Sequence, residues 1–211
     1  MNMFRNLKKR FREKTPQELA ERQFKKIKLK KTDIAIDCGA NVGSYTKYLS
    51  RNNATVYAFE PNPYAFGVLY EKFKDKANVH CINKGVMDEA GKMKLYLRKN
   101  FFENPVHWSI SSSFMTISKN LDYESNLEIE VVDLCQFIES LNSRIKVLKI
   151  DVEGAEIRIL KKLINTGTIS KIDYVFVEMH DKWFPGLKPE ADEIRDLIKT
   201  KQIKNINLDW K

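Results

Sequence analysis

Five short apolar runs in this chain each end in acidic or glycine residues, and most lead on to residues at helical spacing. Ile34-Ala35-Ile36 runs into Asp37-Cys38-Gly39, and Thr55–Phe59 into Glu60-Pro61-Asn62. Val79–Val86 ends before Asp88, Ile145–Val152 at Glu153-Gly154, and Tyr174–Val177 at Glu178-Met179-His180. Between them, Tyr45, Tyr48 and Leu49, then Phe66, Leu69, Tyr70 and Phe73, then Ile157, Leu160 and Leu163, and last Ile194, Leu197 and Ile198 recur every three or four residues. Near-continuous apolar strands alternating with amphipathic helices specify an α/β domain, a mostly parallel sheet covered on both faces. Its crossovers are expected to be right-handed. Such sheets bind ligands beyond the carboxyl ends of their strands, which is where the acids and glycines of this chain collect.

Asp37-Cys38-Gly39-Ala40-Asn41-Val42-Gly43 joins a strand to a helix. Glycines let the backbone turn tightly and approach a ligand, and the helix N-terminus offers free N–H groups. The spacing is not that of a dinucleotide fingerprint. Asp37 at the strand end suits a cationic group such as an ammonium better than a pyrophosphate. Glu60 closes the second strand, where an acid can accept hydrogen bonds from both ribose hydroxyls. Near residue 150, Asp151 and Glu153 stand two apart at a strand end, so both can face one cleft. With His180 they are the candidates for a base acting on a hydroxyl. Two plainer readings stay open: Glu153 and Glu156 as acids matched to a helix N-terminus, and His180 as a structural hydrogen-bonding residue.

Asp37-x-Gly39-x-Asn41-x-Gly43, Phe59-Glu60-Pro61-Asn62-Pro63 and Leu148-Lys149-Ile150-Asp151-Val152-Glu153-Gly154-Ala155-Glu156 together resemble the FkbM family over about residues 33–181. That family consists of S-adenosylmethionine-dependent methyltransferases of the class I, Rossmann-like fold, associated with O-methylation of sugars, glycolipids and polyketides. The resemblance implies that Asp37, Gly39, Ala40, Asn41 and Gly43 hold the methionine part of the cofactor. Glu60 would hold the ribose, with Pro61 and Asn62 shaping the turn beside it. Val86 and Asp88 would lie near adenine, although Asp88 equally reads as a hairpin-turn residue. Asp151, Glu153 and His180 would carry catalysis. A divalent metal on an Asp, Glu and His set is conceivable chemistry, but no spacing forces it, and none is predicted. The acceptor is expected to be a small molecule or a glycan. His107, Trp108, Ser112 and Ser113 are candidate acceptor contacts in the aperiodic stretch 98–127, read as a functional loop or lid. Two departures from the family pattern stand out. Cys135-Gln136 replaces an Asp pair, and only Ile203–Trp210 remains where the fold usually adds an antiparallel hairpin, so the sheet is trimmed or completed by a partner.

Charge divides the chain in two. Residues 1–31 hold 12 Lys/Arg and 3 Asp/Glu of the chain's 37 and 28, leaving 25 of each sign in the remainder. A basic helical arm, 1–31, therefore precedes a neutral cofactor-binding domain, 32–211. Phe4, Leu7 and Phe11 with intervening Arg and Lys predict one short helix. Thr15-Pro16-Gln17-Glu18 opens a second, ending near Lys26. The arm is read as a layer on the domain, as a contact to an anionic membrane surface, or as a nucleic-acid contact. Three unclustered cysteines, Cys38, Cys81 and Cys135, read as reduced thiols. No run approaches a membrane span and the start lacks the apolar core of a signal peptide, so the expectation is a cytoplasmic protein, with peripheral membrane contact left open. Competing functions are a nucleic-acid methyltransferase using the arm, and a non-catalytic module of the same fold.

Overall fold

A computed structural model describes residues 13–108 and 121–210. The helix expected over Phe4–Phe11 and the predicted contacts Ser112 and Ser113 lie outside the described residues.

The first helix, α1 (Pro16–Lys26), begins as its sequence dictates. Thr15 Oγ1 accepts from the Glu18 N–H at 3.2 Å while the Glu18 carboxylate accepts from the Thr15 N–H at 2.9 Å, and Pro16 occupies the first turn. Ala20 and Phe24, four apart, form its buried stripe. Six parallel strands follow: β1 (Ile34–Cys38), β2 (Thr55–Phe59), β3 (Val79–Ile82), β7 (Ile145–Ile150), β8 (Ile172–Val177) and β9 (Ile206–Asn207). Their spatial order is β3-β2-β1-β7-β8-β9. The chain winds outward from β1 to β3 and then returns to β7 on the other side of β1. The carboxyl ends of β1 and β7 therefore flank a topological switch point, where helices diverge and a crevice opens.

The connecting helices are α2 (Ser44–Leu49), α3 (Pro63–Phe73), α4 (Pro105–Trp108), α5 (Leu134–Ser140), α6 (Glu156–Asn165) and α7 (Lys188–Thr200). One face of the sheet packs Ala35, Val56, Val147 and Phe176 under α1, α2 and α3, with Phe24, Phe73 and Trp210. The other packs Ile36, Leu148, Ile150 and Val175 against α5, α6 and α7. All three cysteines are free thiols; burial pushes the Cys38 thiol far up, so it is inert.

Two expectations need correction. The run Val79–Val86 is not one strand. It breaks at Asn83, whose side-chain amide donates to the Glu60 and Pro61 carbonyls at 2.8 and 3.2 Å. The chain then enters a second sheet, β4 (Gly85–Met87), β6 (Leu121–Asp133) and β5 (Gly91–Arg98), in the order β4-β6-β5. Nor is the whole of 98–127 loop. β6 pairs antiparallel with β5 up to Leu121, with a register break where Asp122 caps the Glu124 N–H and the Ser125 hydroxyl. That irregularity hides the two-residue period. At the other edge of the main sheet β9 supplies one two-residue parallel strand, with an isolated bridge from Glu178 to Asp209.

Candidate active site

The turn after β1 is built around close approach. Gly39 has φ +77°, and a Cβ there would fall 1.8 Å from the Asp151 carbonyl oxygen, so β7 can end this near β1 only against glycine. Asn41, also left-handed, donates its backbone N–H to Glu60 Oε2 at 2.7 Å. Glu60 Oε1 accepts from the Asn62 N–H at 2.8 Å, and Asn62 Oδ1 caps α3 through the Tyr64 N–H at 3.0 Å. One carboxylate thus ties two strand-end turns together. Burial raises its pKa to about 7 despite both backbone donors. Each of its oxygens has a second lone pair for a ribose hydroxyl.

Lys149 stands in the middle of the most apolar strand. It is 1% exposed. Its Nζ donates to the Gly39 carbonyl at 2.7 Å, lies 3.1 Å from Asp37 Oδ1 and 3.5 Å from Asp151 Oδ2, and sits over the rings of Tyr45 and Trp210. Asp37 is wholly buried; its other oxygen accepts from Thr46 Oγ1 at 2.7 Å. The structure therefore places Asp37 beneath the cleft, as the counter-charge of Lys149, and not in its wall. The signal available in the sequence was the charge itself: a lysine in a fully buried strand requires a partner.

Beyond β7 the chain is strained. Glu153 has φ +57°, a conformation that costs a non-glycine residue about 1–3 kcal/mol. Glu156 folds back over the start of α6, accepting from the Val152 and Gly154 N–H groups at 3.0 and 3.0–3.2 Å. Its Oε1 is also 2.9 Å from His180 Nδ1, which lies 3.1 Å from the Glu178 carbonyl. Two acceptors at Nδ1 fix a hydrogen there. His180 Nε2 faces Glu153 Oε2 at 3.3 Å. Burial alone would lower the imidazole pKa, but Glu156, Glu153 and Asp151 outweigh it and push it up to about 9. Burial, with the neighbouring carboxylates, pushes Glu153 up to about 8. The carboxylates around His180 favour its charged form, with Nδ1 and Nε2 each facing one of them. Asp151, Glu178 and His180 each bring one ligand atom within 4.8 Å of the others. A metal there would require His180 to lose its proton first.

A cleft of about 340 Å³ opens at the switch point, with Asp37, Glu156 and His180 set behind its wall. Gly39, Ala40, Asn41, Glu60, Pro61, Asn62, Val86, Asp151 and Glu153 all line it, so most of the predicted set is brought together. Glu178, at the strand end where the sequence puts it, lines it as well, and so do Ser44, Tyr45, Lys84 and Lys149. Gly43 is set back at the start of α2 against Leu69 and Phe73. Asp88 is not in the wall either; it pairs with Arg158 at 3.0 Å, in keeping with its turn reading. Cys135 is buried in α5 away from the cleft, and Asp133 beside it caps that helix and pairs with Lys162 at 2.6 Å. The backbone of His107 and Trp108 forms the last turn of α4.

The donor set fits the cofactor that the resemblance implies. Carboxylates of Glu60, Asp151, Glu153 and Glu178 suit a molecule bearing an ammonium, a sulfonium and ribose hydroxyls. Phe59, Pro61, Val86 and Leu95 offer an apolar wall for a purine.

A glycine turn after β1, an acid after β2 and a cleft at the switch point of an open parallel sheet define the α/β methyltransferase fold. Within that class, residues 37–204 match the methyltransferase FkbM domain, and the chain belongs to this family. It is 28% identical over 151 residues to the hexuronic acid methyltransferase AglP of Haloferax volcanii, covering 70% of this chain and 56% of that protein. It is 27% identical over 178 residues to the 31-O-demethyl-FK506 methyltransferase FkbM of Streptomyces tacrolimicus, covering 74% and 68%. Methyltransferase 1 of Beauveria bassiana is 26% identical, over 69% of this chain and 64% of its own length. The chain thus spans well under two thirds of the length of AglP. Among solved structures, the methyltransferase FkbM of Methylobacillus flagellatus KT aligns with a TM-score of 0.49 at 14% identity, over 82% of this chain and 39% of that one.

Proposed function

We propose that the chain is an S-adenosylmethionine-dependent O-methyltransferase acting on a hydroxyl of a sugar, a glycan or a similar small hydroxylated acceptor. The observation that carries this reading is the pairing, in one cleft, of a ribose-type acid, Glu60, with a carboxyl tuned toward neutral pH, Glu153. When bound, the cofactor supplies an electrophilic sulfonium methyl. Glu60, held by the Asn41 and Asn62 N–H groups, orients the ribose. The acidic lining favours the cationic form of the cofactor over its neutral product. Glu153 would accept the proton of the acceptor hydroxyl, and holding that oxygen in place would supply much of the remaining rate. His180, fixed by Glu156 and the Glu178 carbonyl, orients Glu153 and balances its charge. AglP, named for a hexuronic acid, and the FkbM of Streptomyces tacrolimicus, named for an O-demethyl substrate, support a hydroxyl or sugar-like acceptor here.

Calorimetric binding of S-adenosylhomocysteine tests the cofactor half. The wild type is expected to bind in the micromolar range, and Glu60→Gln to bind at least ~10-fold more weakly, the loss of a charge-assisted hydrogen bond. A folded wild type that does not bind removes the assignment.

The pH dependence follows from two raised values. Glu153 gains its basic form only as pH rises through about 8, and His180 keeps its charge until pH passes about 9. The single-turnover rate is therefore expected to rise from neutral pH, to peak near the interval between the two, and to fall above it as the carboxylates lose their cation. The apparent values belong to the coupled pair. A rate already maximal at pH 6 would remove Glu153 as the base.

A further inference from the structure

On the face covered by α1, far from the cleft, lies a second concavity of about 590 Å³. Arg22, Lys26, Lys28 and Lys146 line it with Leu19, Ile27, Gln23 and Tyr174, and no carboxylate does. Because Ala20 and Phe24 point inward, Leu19, Arg22 and Lys26 share the outward stripe of α1. Leu19 is 52% exposed, a large apolar side chain in water among cations. Lys146 shares its charge with Asp173 at 2.8 Å, while among the described residues Arg22, Lys26 and Lys28 form no ion pair. The whole net charge of the chain, +9, is contributed by residues 1–31. The twelve residues before Glu13 continue the pattern in sequence, with Phe4, Leu7 and Phe11 set among Arg5, Lys8, Lys9, Arg10 and Arg12.

We propose that this groove and the outward stripe of α1 form a docking surface for an anionic membrane. Cations interleaved with exposed apolar side chains match the interface between headgroups and acyl chains, where the charges meet phosphate and the apolar groups enter the boundary layer. Nucleic acid would favour phosphate contacts joined by exposed aromatic platforms, and the one aromatic ring of the groove, Tyr174, lies under the Lys146 ammonium. Among the described residues no helix is long and apolar enough to cross a membrane, so the contact is peripheral. The proposal stands on the groove alone and does not depend on the reaction assigned to the cleft.

Co-sedimentation of the full chain with vesicles tests it. Vesicles of phosphatidylcholine containing about 30% phosphatidylglycerol are compared with pure phosphatidylcholine, at about 0.1 M and about 1 M salt. The wild type is expected to bind only the anionic vesicles and to be released by high salt. The variant Arg22→Glu/Lys26→Glu/Lys28→Glu is expected to bind at least ~10-fold more weakly, since each basic side chain near an anionic surface counts for about fivefold in partitioning. Its S-adenosylhomocysteine affinity should equal that of the wild type, which shows an intact fold. Equal vesicle binding by the variant, or no binding by the wild type, overturns the proposal. So does retention on duplex DNA or RNA under conditions where anionic vesicles fail to compete.

Discussion

Lys149→Met is expected to lower the unfolding free energy by about 3–5 kcal/mol, the usual consequence of removing one member of a buried ion pair. Asp37 is fully buried on the central strand, and Lys149 is its only nearby cation among the described residues. Without the ammonium, one carboxylate oxygen is left on the Thr46 hydroxyl and the other has no counter-charge. The Gly39 and Cys38 carbonyls lose a donor in the same step. Urea unfolding of the wild type and variant measures the loss. Adding Asp37→Asn to the Lys149→Met variant should recover part of it, because a buried amide costs less than a buried, unpaired charge. A loss below about 1 kcal/mol would mean that the pair is dispensable.

Glu153→Gln is expected to reduce kcat by about 10²–10⁴-fold, the range over which a positioned general base contributes. S-adenosylhomocysteine binding should change little, since Glu60 and the Gly39–Asn41 turn hold the other end of the cleft. The strained backbone at this position supplies a control. Glu153→Gly relieves a left-handed conformation and should leave stability unchanged or raise it, while losing activity as fully as Glu153→Gln. A residue kept only for structure would give the reverse order. Full turnover by Glu153→Gln would move the base elsewhere in the cleft, with Asp151 next in line.

The fold was legible wherever one residue pattern had one structural meaning. Near-continuous apolar runs gave the parallel sheet, and Thr15-Pro16-Gln17-Glu18 gave the start of α1. The second sheet was obscured because β4 follows β3 with only Asn83 and Lys84 between them, and because the Asp122 turn interrupts the alternation of β6. The cleft was legible through its backbone: glycines, the acid after β2 and the two acids after β7 lie where the strand-end rule puts them. Electrostatic roles were harder to read. Asp37 looked like a ligand because it ends a strand. Only the structure places a lysine from β7 against it. His180 looked like a base because imidazole usually is one near neutrality. What the sequence does not show is its pairing through Nδ1 with Glu156, 24 residues away.

Phe24 of α1 packs against Trp210, far along the sequence, with ring centroids 5.6 Å apart, and Trp210 in turn covers the Lys149 ammonium. During synthesis at about 5–20 residues per second, the seat of α1 and the roof over Lys149 stay incomplete until residue 210 leaves the ribosome. The sheet can form before then, but its buried charge stays wet. Closure of the cleft floor and docking of the basic helix are then one late event, and a chain stalled short of Trp210 would expose both.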